Sequence, residues 1–203
     1  MRLPLTAVLS AVLTATVLGS LATPALAHTG GAPATSILAG FLHPLSGIFH
    51  VLSMVSIGTM AALVGGRALW TVPAAFIAVM VAGAAVGLQG IALPMVELGI
   101  ALSVVVLGIA TACGRSVPES AAVAMAAVFA VFHGHVHGSE MALSVATALF
   151  GAGFVLATAL LHALGLFGAR LLNRRFDAMG TATVRLAGLG VAATGLGMVG
   201  AMI

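Results

Sequence analysis

The chain has 203 residues, of which 62% are apolar and 5% charged, with a mean hydropathy of +1.27. So little charge excludes a water-soluble globular surface and points to an integral membrane protein, all-α in class because helices satisfy their own backbone groups in lipid. The formal charge of +3 rests on seven arginines and no lysine, too few for a nucleic-acid footprint, and the single Cys113 leaves no intrachain disulfide or multi-thiolate metal centre.

Residues 1–27 read as a secretory signal, with Arg2 as the positive start, an apolar run from Leu3 to Leu21, and a small-x-small site at Ala25-Leu26-Ala27. The competing reading is an uncleaved first membrane helix. On cleavage, His28 would carry a free α-amino group beside its imidazole, a candidate metal clamp. The rest, 28–203, reads as a single membrane domain.

Six apolar stretches follow, each close to the roughly 20 residues needed to cross a hydrocarbon core. They run from Ile37 to Val64, Trp70 to Leu93, Met95 to Ala112, Pro118 to Val136, Met141 to Phe167, and Thr183 to Ile203. The expected architecture is a six-helix transmembrane bundle. Gly83 and Gly87 have the small-xxx-small spacing of closely packed membrane helices. Arg67, Arg115, Arg170, Arg174, Arg175 and Arg185 all fall in or beside the loops after the first, third and fifth stretches. Arginine-bearing short loops stay on the cytoplasmic side, so both mature termini are expected outside a bacterial inner membrane.

With that orientation, the polar residues gather in the outer half. On the first stretch His43 is expected roughly 10 Å in and His50 about 10 Å deeper on the same helix face, with Met54 a turn below as a soft donor. Pro44 suits a helix start and Gly47 loosens the backbone between the two histidines, so a broken helix lining a polar cavity is the other arrangement open to this motif. Gln89 lies at the outer end of the second stretch and Glu97 in the first turn of the third. The fourth ends in Phe132-His133-Gly134-His135-Val136-His137-Gly138-Ser139-Glu140.

If that run is helical, His133, His137 and Glu140 form one stripe and His135 points nearly opposite. An extended backbone would align the three histidines instead, and Gly134 and Gly138 leave that alternative open. Two imidazoles and a carboxylate form a borderline donor set for Ni²⁺, Co²⁺, Cu²⁺ or Zn²⁺. The competing interpretation is a polar loop at the membrane surface, but ionisable groups within a membrane are expensive and default to function. His162 reads as a neutral imidazole bonded to a neighbouring helix, Glu119 as first-turn helix-dipole chemistry, and Asp177 as a solvated loop charge.

These motifs resemble the HupE/UreJ family of bacterial nickel and cobalt permeases. Members have a signal, an HPxxGxDHxLAM-type motif in the first mature helix and an FHGxxHGxE-type motif in the fourth; here these read HPLSGIFHVLSM from His43 to Met54 and FHGHVHGSE from Phe132 to Glu140. Leu93-Pro94-Met95-Val96-Glu97 and Ser103-Val104-Val105-Val106-Leu107-Gly108 are similar to the family's LPxVE and SVxxLG stretches. The resemblance implies import of Ni²⁺, with Co²⁺ as an alternative cargo, and metalloenzyme maturation proteins as partners. By motif position it implicates His43, His50, His133, His137 and Glu140 as metal-handling residues, with His135 and Glu97 as weaker candidates. One position departs: the family's aspartate before the second histidine is Phe49.

The expected function is therefore a permease for a divalent transition-metal ion that is cargo, not a resident cofactor. Neutral imidazole is the ligating form, so capture is expected to weaken below about pH 6. The alternatives are a metal-binding accessory or sensor that moves no ion, and a permease turned toward Cu or Zn by Phe49. An enzyme is disfavoured, since there is no HExxH motif and no general base paired with an open metal site.

Overall fold

A computed structural model of the chain describes residues 36–114 and 117–202. The expected signal segment, His28 and Arg115 lie outside the described residues. Among those residues the secondary structure consists of six helices: α1 Ile37–Ser46, α2 Ile48–Val64, α3 Ala68–Leu88, α4 Val96–Cys113, α5 Glu119–Ser139 and α6 Val145–Gly200.

The first expected span is not one straight helix. Ser36 caps α1 by accepting the Ala39 N–H at 3.1 Å. Pro44, inside α1, removes one backbone donor. Gly47 then adopts an extended conformation, φ −103° and ψ 110°, ending α1 and starting α2. The two helices meet at 89°. The Ser46 hydroxyl donates to the His43 carbonyl at 2.6 Å, taking the acceptor that the Gly47 N–H would have used in a continuing helix. α1 thus lies across the direction of α2, so the continuous helical rise expected from His43 to His50 is interrupted.

The fifth and sixth expected spans also depart from a simple reading, because α6 runs for 56 residues. Straight, it would measure about 84 Å, far more than a hydrocarbon core of about 30 Å. It breaks at Asp177, whose φ of 44° and ψ of −120° are not helical. Beyond the break the chain folds back. A methyl on Gly180 would strike the Leu172 carbonyl, and Val184 joins Ala169 and Leu63 in a small apolar cluster. Asp177 is therefore the reversal point of a helical hairpin, not merely a solvated charge. By length and composition the described residues hold four helices able to cross a membrane, or five counting the bent α1–α2 pair as one span.

Small residues set how closely the helices approach. On α3, Gly83 faces Val131 and Gly87 faces His135 and Ser139 of α5. In return Gly134 and Gly138 of α5 face the Met80 and Ala84 backbones of α3, so that a methyl on either glycine would overlap a carbonyl. The Gly83/Gly87 spacing thus finds its partner in the glycines of the histidine motif, and the two helices run parallel with backbones nearly touching. Gly58 of α2 and Gly165 of α6 make a similar crossing, as do Gly108 of α4 and Gly188 of α6.

These pairings sort the polar groups to two ends. At one end, Thr71 near the start of α3 donates to Glu119 at the start of α5 at 3.0 Å, so Glu119 is bonded to a neighbouring helix as well as placed in its own first turn. There too Arg185 Nε donates to the Ala112 carbonyl at the end of α4 at 2.6 Å. The Leu63–Ala169–Val184 cluster brings Arg67, Arg170 and Arg185 to that end as well, each within about a turn of one member. The opposite end holds the histidines.

Candidate metal-handling site

The motif on α5 is helical through Ser139, which removes the extended alternative. Helical spacing then separates its histidines. His133 and His137 turn inward toward α2, whereas His135 leaves the group and brings Nε2 to 2.7 Å from the Ile91 carbonyl in the α3–α4 connection. His135 is thus a loop anchor, which fits the expected opposite orientation and not a role in the histidine group. Glu140, expected on the same stripe, is the exposed residue that ends α5. Glu97 lies in the first turn of α4 and is likewise exposed, as is Gln89, whose amide donates to the Ala85 carbonyl.

The bend at Gly47 brings the first motif to the second. His43 on α1 and His50 on α2 both reach His137, with ring centroids 4.8 and 4.9 Å away. His50 also meets His133 at 5.0 Å. The Nε2 atoms of His50 and His137 are 2.9 Å apart, a hydrogen bond in which one imidazole donates and the other accepts. Four rings from three helices form a continuous chain: His43, His137, His50, His133. Phe154 borders the first three of these, with centroids 6.1, 4.6 and 6.5 Å from His43, His137 and His50. Gly47 leaves room for this arrangement, since a methyl there would sit 3.2 Å from His50 Nδ1.

His133 is fully buried, and its contacts restrict its tautomer. Its Nε2 lies 2.9 Å from the Ser103 hydroxyl on α4. Ser103 has one proton, and the Ile100 carbonyl, a pure acceptor, stands 2.6 Å from its oxygen. With that proton committed, Ser103 accepts from His133 Nε2–H and from the Ser53 hydroxyl of α2, 3.1 Å away. The lone pair of His133 is then on Nδ1, which has no hydrogen-bond partner. A buried imidazole whose far nitrogen is fixed by a hydrogen bond is the usual arrangement of a metal-ligating histidine. Ser53 and Ser103 were not anticipated as site residues. Their signal was present, as hydroxyls within apolar spans, Ser53 inside the first histidine motif and Ser103 at the head of the Ser103–Gly108 stretch.

Among the described residues, no three His, Cys, Asp or Glu side chains are arranged as a metal-holding group. The donors form a chain instead of a shell. The 2.9 Å between the two Nε2 atoms is nonetheless close to the roughly 3 Å separating neighbouring ligands with metal–nitrogen bonds of about 2.1 Å. A cation entering between His50 and His137 would replace their shared proton, with the donor ring moving its hydrogen to Nδ1 or turning. Phe49 is half-buried in the first turn of α2. Beside α3, α5 and α6 lies a cavity of about 770 Å³ that touches the group at His137. Its walls are mostly apolar, with His137, Ser144 and Thr147 the polar side chains among them.

His162 departs from expectation. It is buried, 2% exposed, but neither ring nitrogen has a hydrogen-bond partner, so it is not a helix-to-helix bond. Its ring meets Phe76 edge-on at 5.2 Å, and Phe76 lies 5.8 Å from His133.

The family model for the HupE / UreJ protein matches residues 15–198. The chain belongs to the HupE/UreJ family. It is similar to Protein HupE of Rhizobium leguminosarum bv. viciae, at 43% identity over 181 residues covering 89% of this chain and 93% of that one. No solved structure matches it. HupE/UreJ membership supports a role in metal transport across a membrane, and not an enzymatic one.

Proposed function

We propose that the protein is an inner-membrane permease that takes a divalent transition-metal cation, Ni²⁺ with Co²⁺ as second cargo, from the outer face to the cytoplasm. The observation that carries this reading is the meeting of His43, His50, His133 and His137 at the end of the bundle away from the arginines. Arginine-bearing ends remain cytoplasmic, so the histidine end faces outward with both mature termini. Six crossings follow if α1–α2 counts as one bent span and the two arms of α6 as two.

A divalent ion gives up hydration only where other donors replace it. His43 and His137 are the first imidazoles, the His50–His137 pair closes on the ion, and His133 Nδ1 draws it inward. Glu140 and Glu97, exposed at the same end, raise the local concentration of cations, and His28 would add a further donor there. His135 serves the loop. A broken helix lining a polar path is an established way to build a transport site in a membrane.

The second reading is an accessory or sensor that binds the ion without moving it, and Phe49 favours it by leaving the first motif without its carboxylate. Uptake of Ni²⁺, Co²⁺, Cu²⁺ and Zn²⁺ into proteoliposomes separates the two. The permease reading expects saturable Ni²⁺ flux, abolished in His50→Ala, and faster flux in Phe49→Asp. Binding without flux establishes the accessory, flux of copper or zinc alone establishes altered selectivity, and neither binding nor flux of any ion overturns both readings.

A further inference from the structure

One face of α6 continues inward from the histidine group. Phe154, which borders His43, His50 and His137, is followed at four-residue intervals by Thr158 and His162, so the three share a stripe. Thr158 is 0% and His162 2% exposed. Thr158 Oγ1 and both nitrogens of His162 have no hydrogen-bond partner. A helical threonine ordinarily bonds the carbonyl one turn back, and a buried imidazole ordinarily finds a donor or acceptor; neither does here. Three unsatisfied polar atoms on one buried stripe, in a chain with few polar side chains, are costly to keep without a use.

Their position indicates that use. His162 is eight residues past Phe154, about 12 Å further toward the arginine end. Phe76 neighbours both histidines, its ring centroid 5.8 Å from that of His133 and 5.2 Å from that of His162. Gly58 lets the α2 backbone close directly onto the His162 carbonyl, holding this part of α6 against the helix that carries His50.

We propose that His162, with Thr158 a turn before it, is a second and deeper metal station on the conduction path, screened from the His50–His133–His137 group by Phe76. The proposal rests on the permease reading. His162 supplies an imidazole nitrogen suited to Ni²⁺ or Co²⁺ over Mg²⁺ or Ca²⁺, and Thr158 a neutral oxygen. So few protein donors make a weak site, which conduction requires if the ion is to leave. Phe76 must swing aside for the ion to pass, dividing transport into capture and release.

The test uses the full chain in proteoliposomes and in nanodiscs. His162→Gln is expected to keep equilibrium Co²⁺ binding at the outer histidines, with an unchanged Co²⁺ absorption spectrum, while Ni²⁺ uptake falls roughly tenfold or more. In a Cys113→Ser background, which removes the one native thiol, His162→Cys is expected to gain a thiolate–Cd²⁺ absorption band that Cys113→Ser alone lacks. His162→Gln with its Co²⁺ spectrum intact and wild-type uptake overturns the proposal, as does His162→Cys without the Cd²⁺ band. Should either variant fail to fold, Thr158→Val decides by the same uptake measurement, unchanged flux counting against the station. Wild-type protein that carries no ion defeats the permease reading, and the Cd²⁺ band still reports whether a metal reaches this depth.

Discussion

His50 and His137 are 87 residues apart in sequence, and their Nε2 atoms stand 2.9 Å apart across the junction of α2 and α5. Two neutral imidazoles in this geometry share one proton, so the pair is bonded without a metal and becomes a two-nitrogen bite when a cation replaces that proton.

If the two rings act as one bite, they must not contribute independently. His50→Ala and His137→Ala are each expected to weaken Ni²⁺ binding by about 10- to 100-fold, and the double variant by little more than either alone. Equilibrium titration in nanodiscs checks this, and strictly multiplicative losses would show that the histidines hold separate ions.

Ser103→Ala removes the acceptor that holds His133 as its Nε2–H tautomer. Ni²⁺ affinity is expected to fall by about tenfold with the helices intact, and the nitrogen NMR shifts of His133 should move toward mixed tautomers. Ser53→Ala, one bond further away, should have the smaller effect. An unchanged tautomer in Ser103→Ala would remove the positioning role.

The bond from His135 to the Ile91 carbonyl predicts a different phenotype for a histidine of the same motif. His135→Ala is expected to lower stability by about 1 kcal/mol, one hydrogen bond, and to leave metal affinity within about threefold of wild type. Thermal unfolding alongside the Ni²⁺ titration separates the two effects, and a loss of affinity equal to that of His137→Ala would return His135 to the metal path.

Gly134 lies against the Met80 carbonyl. Gly134→Ala is expected to cost about 1–3 kcal/mol of overpacking, more than the helix-propensity gain of at most about 1 kcal/mol. Gly197 provides the control, because a methyl added there would meet nothing within 4 Å. Gly197→Ala should be neutral or stabilising. Equal melting temperatures for the two variants would argue against close α3–α5 packing.

The readings that held rest on strong local signals. The Gly83/Gly87 spacing anticipated a close helix approach, and the described arginines do gather at one end because span parity distributes loops between two ends. What failed were continuity and partnership. Gly47 gave no measure of how far the chain would bend, since a glycine in a helix can be tolerated or can break it. Asp177 carried no sign of the positive φ it adopts, because the reversal of α6 is held by packing of Gly180 and Val184 against residues of the first arm.

By itself, the sequence determined that this is a helical membrane protein of the HupE/UreJ family with histidines grouped in two motifs, because hydropathy, charge placement and motif spacing are properties of the linear chain. Only the tertiary structure decided that His43 and His50 reach the same ring, that His135 finds the Ile91 carbonyl, that Ser103 orients His133, and that His162 is buried without a hydrogen-bond partner. The physical reason is that an imidazole's role depends on which atoms face its two nitrogens, and those atoms come from other helices, brought there by a bend at Gly47 and by glycine contacts between backbones distant in sequence.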